Sequence, residues 1–393
     1  IRGPKGTTVR LEILPAAGTG RGAREISIVR NRVVLEDQAA KSSVIDVPQA
    51  EGNLRIGVIS LPAFYIDFDA YHRGDPNYTS TTRDVASLLI TLQKEGIDGL
   101  VLDLRDNGGG SLQEATQLVS LFINRGPTVQ VRDARGGISV LPDQYPGTLY
   151  NGPMAVLVNR YSASASEIFA GAMQDYGRAL IFGDQTFGKG TVQTLQDLDH
   201  GQLKITQAKF YRVSGGSNQH RGIIPDVSFP FLVDKSEIGE SALPNALPWD
   251  QIESARFSPM SDMTEFLEVL RVRHDDRVAH DPEFDYVRDQ LVLIEEQMAR
   301  ESLSLSLAQR SEDLQSLQNR RLLIENALRE HRGETPFESV EGMHEADEAR
   351  TAALESGEEP DEPDPYLTES GQVLADLIQL MAGSKLVAAE PAS

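Results

Sequence analysis

A five-residue apolar run, Met154–Val158, breaks off into Asn159-Arg-Tyr-Ser-Ala-Ser-Ala-Ser-Glu167 and then into a helical pattern, Ile168–Tyr176, closed by Gly177. A buried strand that stops in a turn of small residues and opens a helix belongs in a sheet with helices packed on it. The same order recurs at Gly99–Leu104, which runs into Arg105-Asp-Asn-Gly-Gly-Gly110 and a helix over Ser111–Ile123. Leu112, Ala115, Leu118, Val119 and Phe122 fall on one face of that helix. A strand at Leu54–Leu61, a helix at Thr81–Glu95, a strand at Ala179–Phe182 and alternating runs at Thr191–Leu198 and Leu203–Val213 complete the pattern. Together they predict an α/β (α+β) core with a mixed sheet between about Leu54 and Phe231.

On either side the character changes. Lys5–Leu14 and Glu25–Arg30 alternate like half-buried strands, joined by a Gly-rich turn at Gly18–Gly22. Two strands make a poor domain alone. Residues 262–332 are charge-rich with helical spacing and predict a helical hairpin packed on the core. Glu334 to Asp364 holds twelve acidic residues and one basic one, with several prolines and glycines, as a flexible solvated linker would. A last apolar helix, Gly371–Met381, should dock. The boundaries are thus 1–45, 46–232 and 233–393, with 334–364 as the acidic segment.

Composition excludes some classes of function. A net charge of −22 disfavours nucleic acid and anionic membrane surfaces as partners. With no cysteine there is no disulfide, thiolate metal site or cysteine catalysis. No apolar run reaches the ~18–20 residues needed to span a bilayer. The chain opens on Ile1 without a leader, as expected of a fragment or processed product.

Three stretches could carry chemistry. The serine turn would present a side chain clear of the sheet, beside helix N–H groups suited to a developing oxyanion. Alone it reads equally as a capping box, Ser164 with Glu167. The glycines of Arg105–Gly110 let main-chain N–H groups approach an anion closely. Gly183-Asp-Gln-Thr-Phe-Gly-Lys-Gly190 nearly spells a phosphate-binding loop. Gly190 stands where a hydroxyl should hold magnesium, however, and Thr191–Leu198 alternates like a strand where a helix is required. None of the seven histidines (72, 200, 220, 274, 280, 331 and 344) sits with Ser164, and no zinc-type spacing occurs. An activated serine here therefore needs another base. A lysine with a lowered pKa can serve, and Lys189 lies in a suitable loop.

Ser162–Glu167, Phe187-Gly-Lys-Gly-Thr-Val-Gln193 and Asp103–Gly110 together resemble the C-terminal processing proteases, in particular the tail-specific subgroup of bacterial periplasms. Phe210–Gln219, Gly222–Asp226, Asn245–Asp250 and Glu362–Leu367 resemble further parts of that group. Ile1–Leu11 resembles the closing strands of a PDZ domain, so 1–45 would be the C-terminal remnant of one with a linker, and 233–393 a mainly helical C-terminal domain.

The resemblance implies a serine endopeptidase core with Ser164 as nucleophile, Lys189 as general base and Gln193 holding the lysine amine. The oxyanion donors would be Ala165 and Gly109. Asp175 would be a support, because eleven helical residues, about 16 Å of rise, separate it from Ser164. No cofactor or metal is implied. The implied substrates are envelope proteins with exposed apolar C-terminal tails, cut without ATP. Peptidoglycan-remodelling enzymes and a lipoprotein adaptor would be partners, and the periplasm the location. Two other classes stay open: a non-catalytic peptide-binding scaffold of the same fold, and a nucleotide-binding protein using Gly183–Thr191.

Overall fold

The computed structural model describes residues 3–13, 24–30, 39–50, 52–144, 147–233, 235–300, 302–355 and 363–389. The chain divides into two compact units, Ile1–Ala39 and Ala40–Ser393. In the first, β1 (Thr8–Ile13) pairs antiparallel with β2 (Arg24–Val29), Thr8 opposite Val29 and Ile13 opposite Arg24. The Gly18–Gly22 turn lies outside the described residues.

The second unit opens with β3 (Lys41–Gln49) antiparallel to β4 (Gly52–Ser60). Residues 41–45, assigned by sequence to the N-terminal remnant and linker, are part of strand β3. After α1 (Phe68–His72) and α2 (Thr81–Glu95) come β5 (Gly99–Asp103) and α3 (Leu112–Ser120). Two strands with no counterpart in the sequence reading follow, β6 (Pro127–Asp133) and β7 (Ile138–Pro142). Then come β8 (Met154–Val158), α4 (Ala165–Asp175), β9 (Leu180–Gly183), β10 (Thr191–Asp197), β11 (Gln202–Tyr211) and β12 (Val227–Ser228). The remainder is helical: α5 (Thr264–Val278), α6 (Pro282–Met298), α7 (Leu307–His331), α8 (Val340–Glu355) and α9 (Pro365–Ala389).

These strands build two sheets rather than one. The larger runs β12-β9-β8-β5-β4-β3, parallel except for β3. The smaller runs β10-β11-β6-β7 and is antiparallel. The central strands of the larger sheet are apolar throughout because both faces are covered. Met154, Val156 and Val158 of β8 face one core with Leu89, Leu118 and Phe169. Ala155 and Leu157 face a second core with Leu270, Val373, Leu374 and Leu377 of α5 and α9. Helix α9 thus seals the back of the sheet and leaves the loops at the ends of β5 and β8 for chemistry, the usual ligand position in such sheets.

The acidic stretch departs from its linker reading, since 340–355 are helix α8. Apolar and amide anchors explain this. Met343 is buried, and Asn326 of α7 exchanges two hydrogen bonds with the main chain of Phe337, at 2.7 and 3.0 Å. Residues 356–362 lie outside the described residues.

Candidate active site

Asn107, wholly buried, ties the glycine turn after β5 to the serine turn after β8. Its Nδ2 donates to Leu61 O at 2.7 Å, its Oδ1 accepts from Gly109 N–H at 2.9 Å, and its carbonyl accepts from Ala163 N–H at 3.0 Å. Gly109 is required at this contact: at φ 101°, an added Cβ would stand 2.8 Å from both Ala163 O and Ser164 Cβ.

The three serines then separate. Ser162 Oγ donates to Leu104 O at 2.8 Å, and Ser166 Oγ donates to Asn107 O at 2.8 Å. Both are fully buried. Ser164 is half-buried and sits just before α4 with φ 57° and ψ −109°. That conformation is costly for a side-chain-bearing residue, about 1–3 kcal/mol, and such strain gathers at functional sites.

Ser164 borders a cavity of about 240 Å³ that Gly110, Ala165, Lys189, Gln193 and Lys204 also line. Larger clefts exist, including one of about 710 Å³ beside Arg125 and Arg256, but Ser164 and Lys189 line neither it nor the others. The loop after β9 delivers Lys189 between Gly188 and Gly190. It leads into strand β10 rather than a helix, unlike a phosphate-binding loop. Burial, reinforced by the like charge of Lys204, lowers the pKa of Lys189, while Glu240 and Glu167 pull the other way. Among the described residues no carboxylate forms an ion pair with its ammonium.

The remaining site residues are not all in working positions. No hydrogen bond joins the side chains of Ser164 and Lys189. Gln193 lines the cavity but donates to Thr206 Oγ1 at 3.3 Å instead of meeting the lysine. The N–H of Gly109 donates to Asn107 Oδ1, while its neighbour Gly110 borders the cavity. Asp175 lies at the far end of α4, where its carboxylate accepts from Arg212 and from Ser214 N–H at 3.1 Å.

Three features escape sequence reasoning. Lys204 reaches the cavity because β10 and β11 pair with Leu195 opposite Lys204, a register the sequence does not show. His220 does approach the lysine loop, its N–H donating to Gly188 O at 2.7 Å, but its ring does not line the cavity. The carboxylate of Glu167 accepts from Ser164 N–H at 2.8 Å, as a capping box requires, but also reaches the lysine loop. Burial pushes that carboxyl up to about 7, against the hydrogen bonds that favour its charge.

Residues 55–229 match peptidase family S41, and residues 233–379 match the C-terminal domain of tail specific protease. The chain belongs to peptidase family S41. It is 39% identical over 398 residues to the tail-specific protease of Haemophilus influenzae, covering 98% of this chain and 53% of that protein. It is 32% identical to a chloroplastic carboxyl-terminal-processing peptidase of Arabidopsis thaliana, covering 60% of this chain and 43% of that one. It is 33% identical to a carboxyl-terminal-processing protease of Picosynechococcus, covering 58% and 50%. The chain thus spans about half the length of these curated relatives. Among the described residues no helix is long and apolar enough to cross a membrane.

Proposed function

We propose that the cavity is the active site of an ATP-independent serine endopeptidase with Ser164 as nucleophile and Lys189 as general base. The observation that carries this reading is the division among the serines. Ser162 and Ser166 are bonded to main-chain carbonyls, whereas Ser164, strained and half-buried, shares a cavity with a lysine whose burial favours the neutral amine.

As Ser164 Oγ bonds to the scissile carbonyl carbon, its proton passes to Lys189 Nζ. The C–N bond then breaks, and the ammonium returns the proton to the leaving amine. Water, deprotonated in turn by Lys189, cleaves the acyl ester and restores the serine. Ala165, the first residue of α4, presents its N–H to the oxyanion. The 108–110 loop supplies a second donor, from Gly110 at the cavity wall or from Gly109 after its bond to Asn107 is exchanged. Gln193 turns from Thr206 to hold the lysine amine, and Asp175 supports the far end of α4.

By kinship with tail-specific and carboxyl-terminal-processing enzymes, the substrates are proteins with exposed apolar C-terminal tails. In the periplasm these are envelope proteins, peptidoglycan-remodelling enzymes among them, delivered by a lipoprotein adaptor. The β1–β2 hairpin is a remnant of a PDZ domain, the kind of module that captures such tails. Incubating the purified protein with an unfolded polypeptide ending in apolar residues, without ATP, tests the reading. Cleavage that slows when the substrate's C-terminus is amidated is expected; an intact substrate would remove the proposal.

A further inference from the structure

We propose that Glu167 is the positioning residue that sets Ser164 against Lys189, one carboxylate oxygen accepting from the main-chain N–H groups of both. This rests on the dyad reading above and deepens it. Oε2 accepts from Ser164 N–H at 2.8 Å and from Lys189 N–H at 3.0 Å. Oε1 accepts from Gly188 N–H at 2.7 Å and from Thr186 Oγ–H at 2.6 Å. The segment 184–190 lies between β9 and β10, with no ladder of its own to fix it. One main-chain bond, from Phe187 N–H to Ser162 O at 3.0 Å, joins it to the serine turn, and the Glu167 carboxylate adds the bonds that reach Ser164 and Lys189 themselves. The carboxylate does so at zero exposure, and Gly222 closes over it, where an added Cβ would stand 3.0 Å from Oε1.

A helix cap alone does not explain this choice of residue. At the third helical position glutamine caps as well as glutamate. The second task, accepting from the lysine loop with both oxygens, is open only to a carboxylate, because a glutamine Nε2 would point its own N–H groups at N–H donors. Nor is this a buried ion pair, for no cation lies within ion-pair distance of Glu167 among the described residues. The charges that face it are Lys189 and Arg160, and Arg160 is engaged by Ile238 O and Thr186 O at 2.7 Å each. A buried carboxylate supported only by N–H and O–H donors is costly. Its placement is accounted for by the geometry it imposes.

The test compares the pH dependence of peptide cleavage by the parent and Glu167→Gln, with unfolding curves to fix the folded fraction. Misplacing a reacting group by about 1 Å costs on the order of 100-fold, so the plateau should fall by about that factor. The acid limb should also move to lower pH, because the anion that raises the pKa of Lys189 is gone. A purely structural role would lower activity only in proportion to the folded fraction and leave the plateau of each folded molecule unchanged, and that result would overturn the proposal. A plateau within about three-fold of the parent would do the same. If Glu167→Gln does not fold, Glu167→Asp keeps the charge but is one methylene too short to hold both sides. Its plateau should fall about ten-fold with the limb unmoved, and a parent-like plateau would refute the assignment. Ser164→Ala and Lys189→Ala, measured alongside, separate the two claims. Cleavage surviving in either removes the dyad; cleavage lost in both but undiminished in Glu167→Gln removes only the role of Glu167.

Discussion

The wall of the cavity that carries Ser164 and the wall that carries Gln193 and Lys204 are held in opposite ways. On the serine side, buried polar groups meet at short range. Asn107, Ser162, Ser166 and Glu167 are each wholly buried and hydrogen-bonded, and they join the ends of β5 and β8 to the lysine loop. On the other side, Gln193 and Lys204 project from the exposed hairpin β10–β11, and Gln193 is bonded sideways to Thr206. A register shift between Val192 and Gln193 marks where that hairpin leaves regular pairing. Such differences teach which half is pre-organised. On the proposed reading, Ser164, its strain and the N–H of Ala165 are set before substrate arrives, whereas Gln193 and Lys204 sit on an exposed hairpin outside that network. The conformation described here, with Gln193 turned away, fits a site awaiting its substrate.

The comparison can be broken first at the serines. Ser164→Ala should abolish cleavage, a loss of about 1,000-fold or more, with little change in unfolding. Ser162→Ala and Ser166→Ala should instead destabilise the fold by about 1–3 kcal/mol each while leaving the activity of each folded molecule nearly intact. Thermal melts paired with cleavage assays check this. Equal effects at all three serines would erase the distinction.

Much of the buried half was legible in the sequence, and much of the exposed half was not. Met154–Val158 and the small residues after it announce a strand-turn-helix because apolar periodicity and turn residues are local signals. The choice of Ser164 over Ser162 and Ser166 came only with the resemblance, since nothing local says which hydroxyls meet Leu104 O and Asn107 O. Strands β6 and β7 form a local hairpin that the sequence reading passes over, and β6 also pairs with β11 about 75 to 81 residues away. Lys204 enters the cavity through the register of the β10–β11 hairpin, which periodicity alone does not set. The linker reading of 334–364 misses α8 because composition records charge but not anchors such as Met343 and Phe337.

A smaller effect is expected on the exposed wall. Gln193→Ala should lower kcat by about ten-fold, as loss of an orienting hydrogen bond does, without changing the unfolding midpoint. Parent-like turnover would mean that the side chain stays with Thr206 throughout the cycle. Smallest of all is Lys204→Met. Lys204 helps lower the pKa of Lys189, so removing its charge raises that pKa. The neutral, active amine then appears only at higher pH. The acid limb of the activity profile should move upward by less than about one pH unit with the plateau preserved, as expected when an exposed, screened charge is lost. A downward shift would contradict the electrostatic assignment.

Cleavage by Lys189→Arg tests the central claim most directly. Arginine keeps the positive charge and much of the length, but it cannot be deprotonated in a protein and so cannot serve as a base. With the unfolding curve retained, the dyad account expects turnover to fall by about 1,000-fold or more. Turnover within about ten-fold of the parent would show that some other group removes the proton from Ser164.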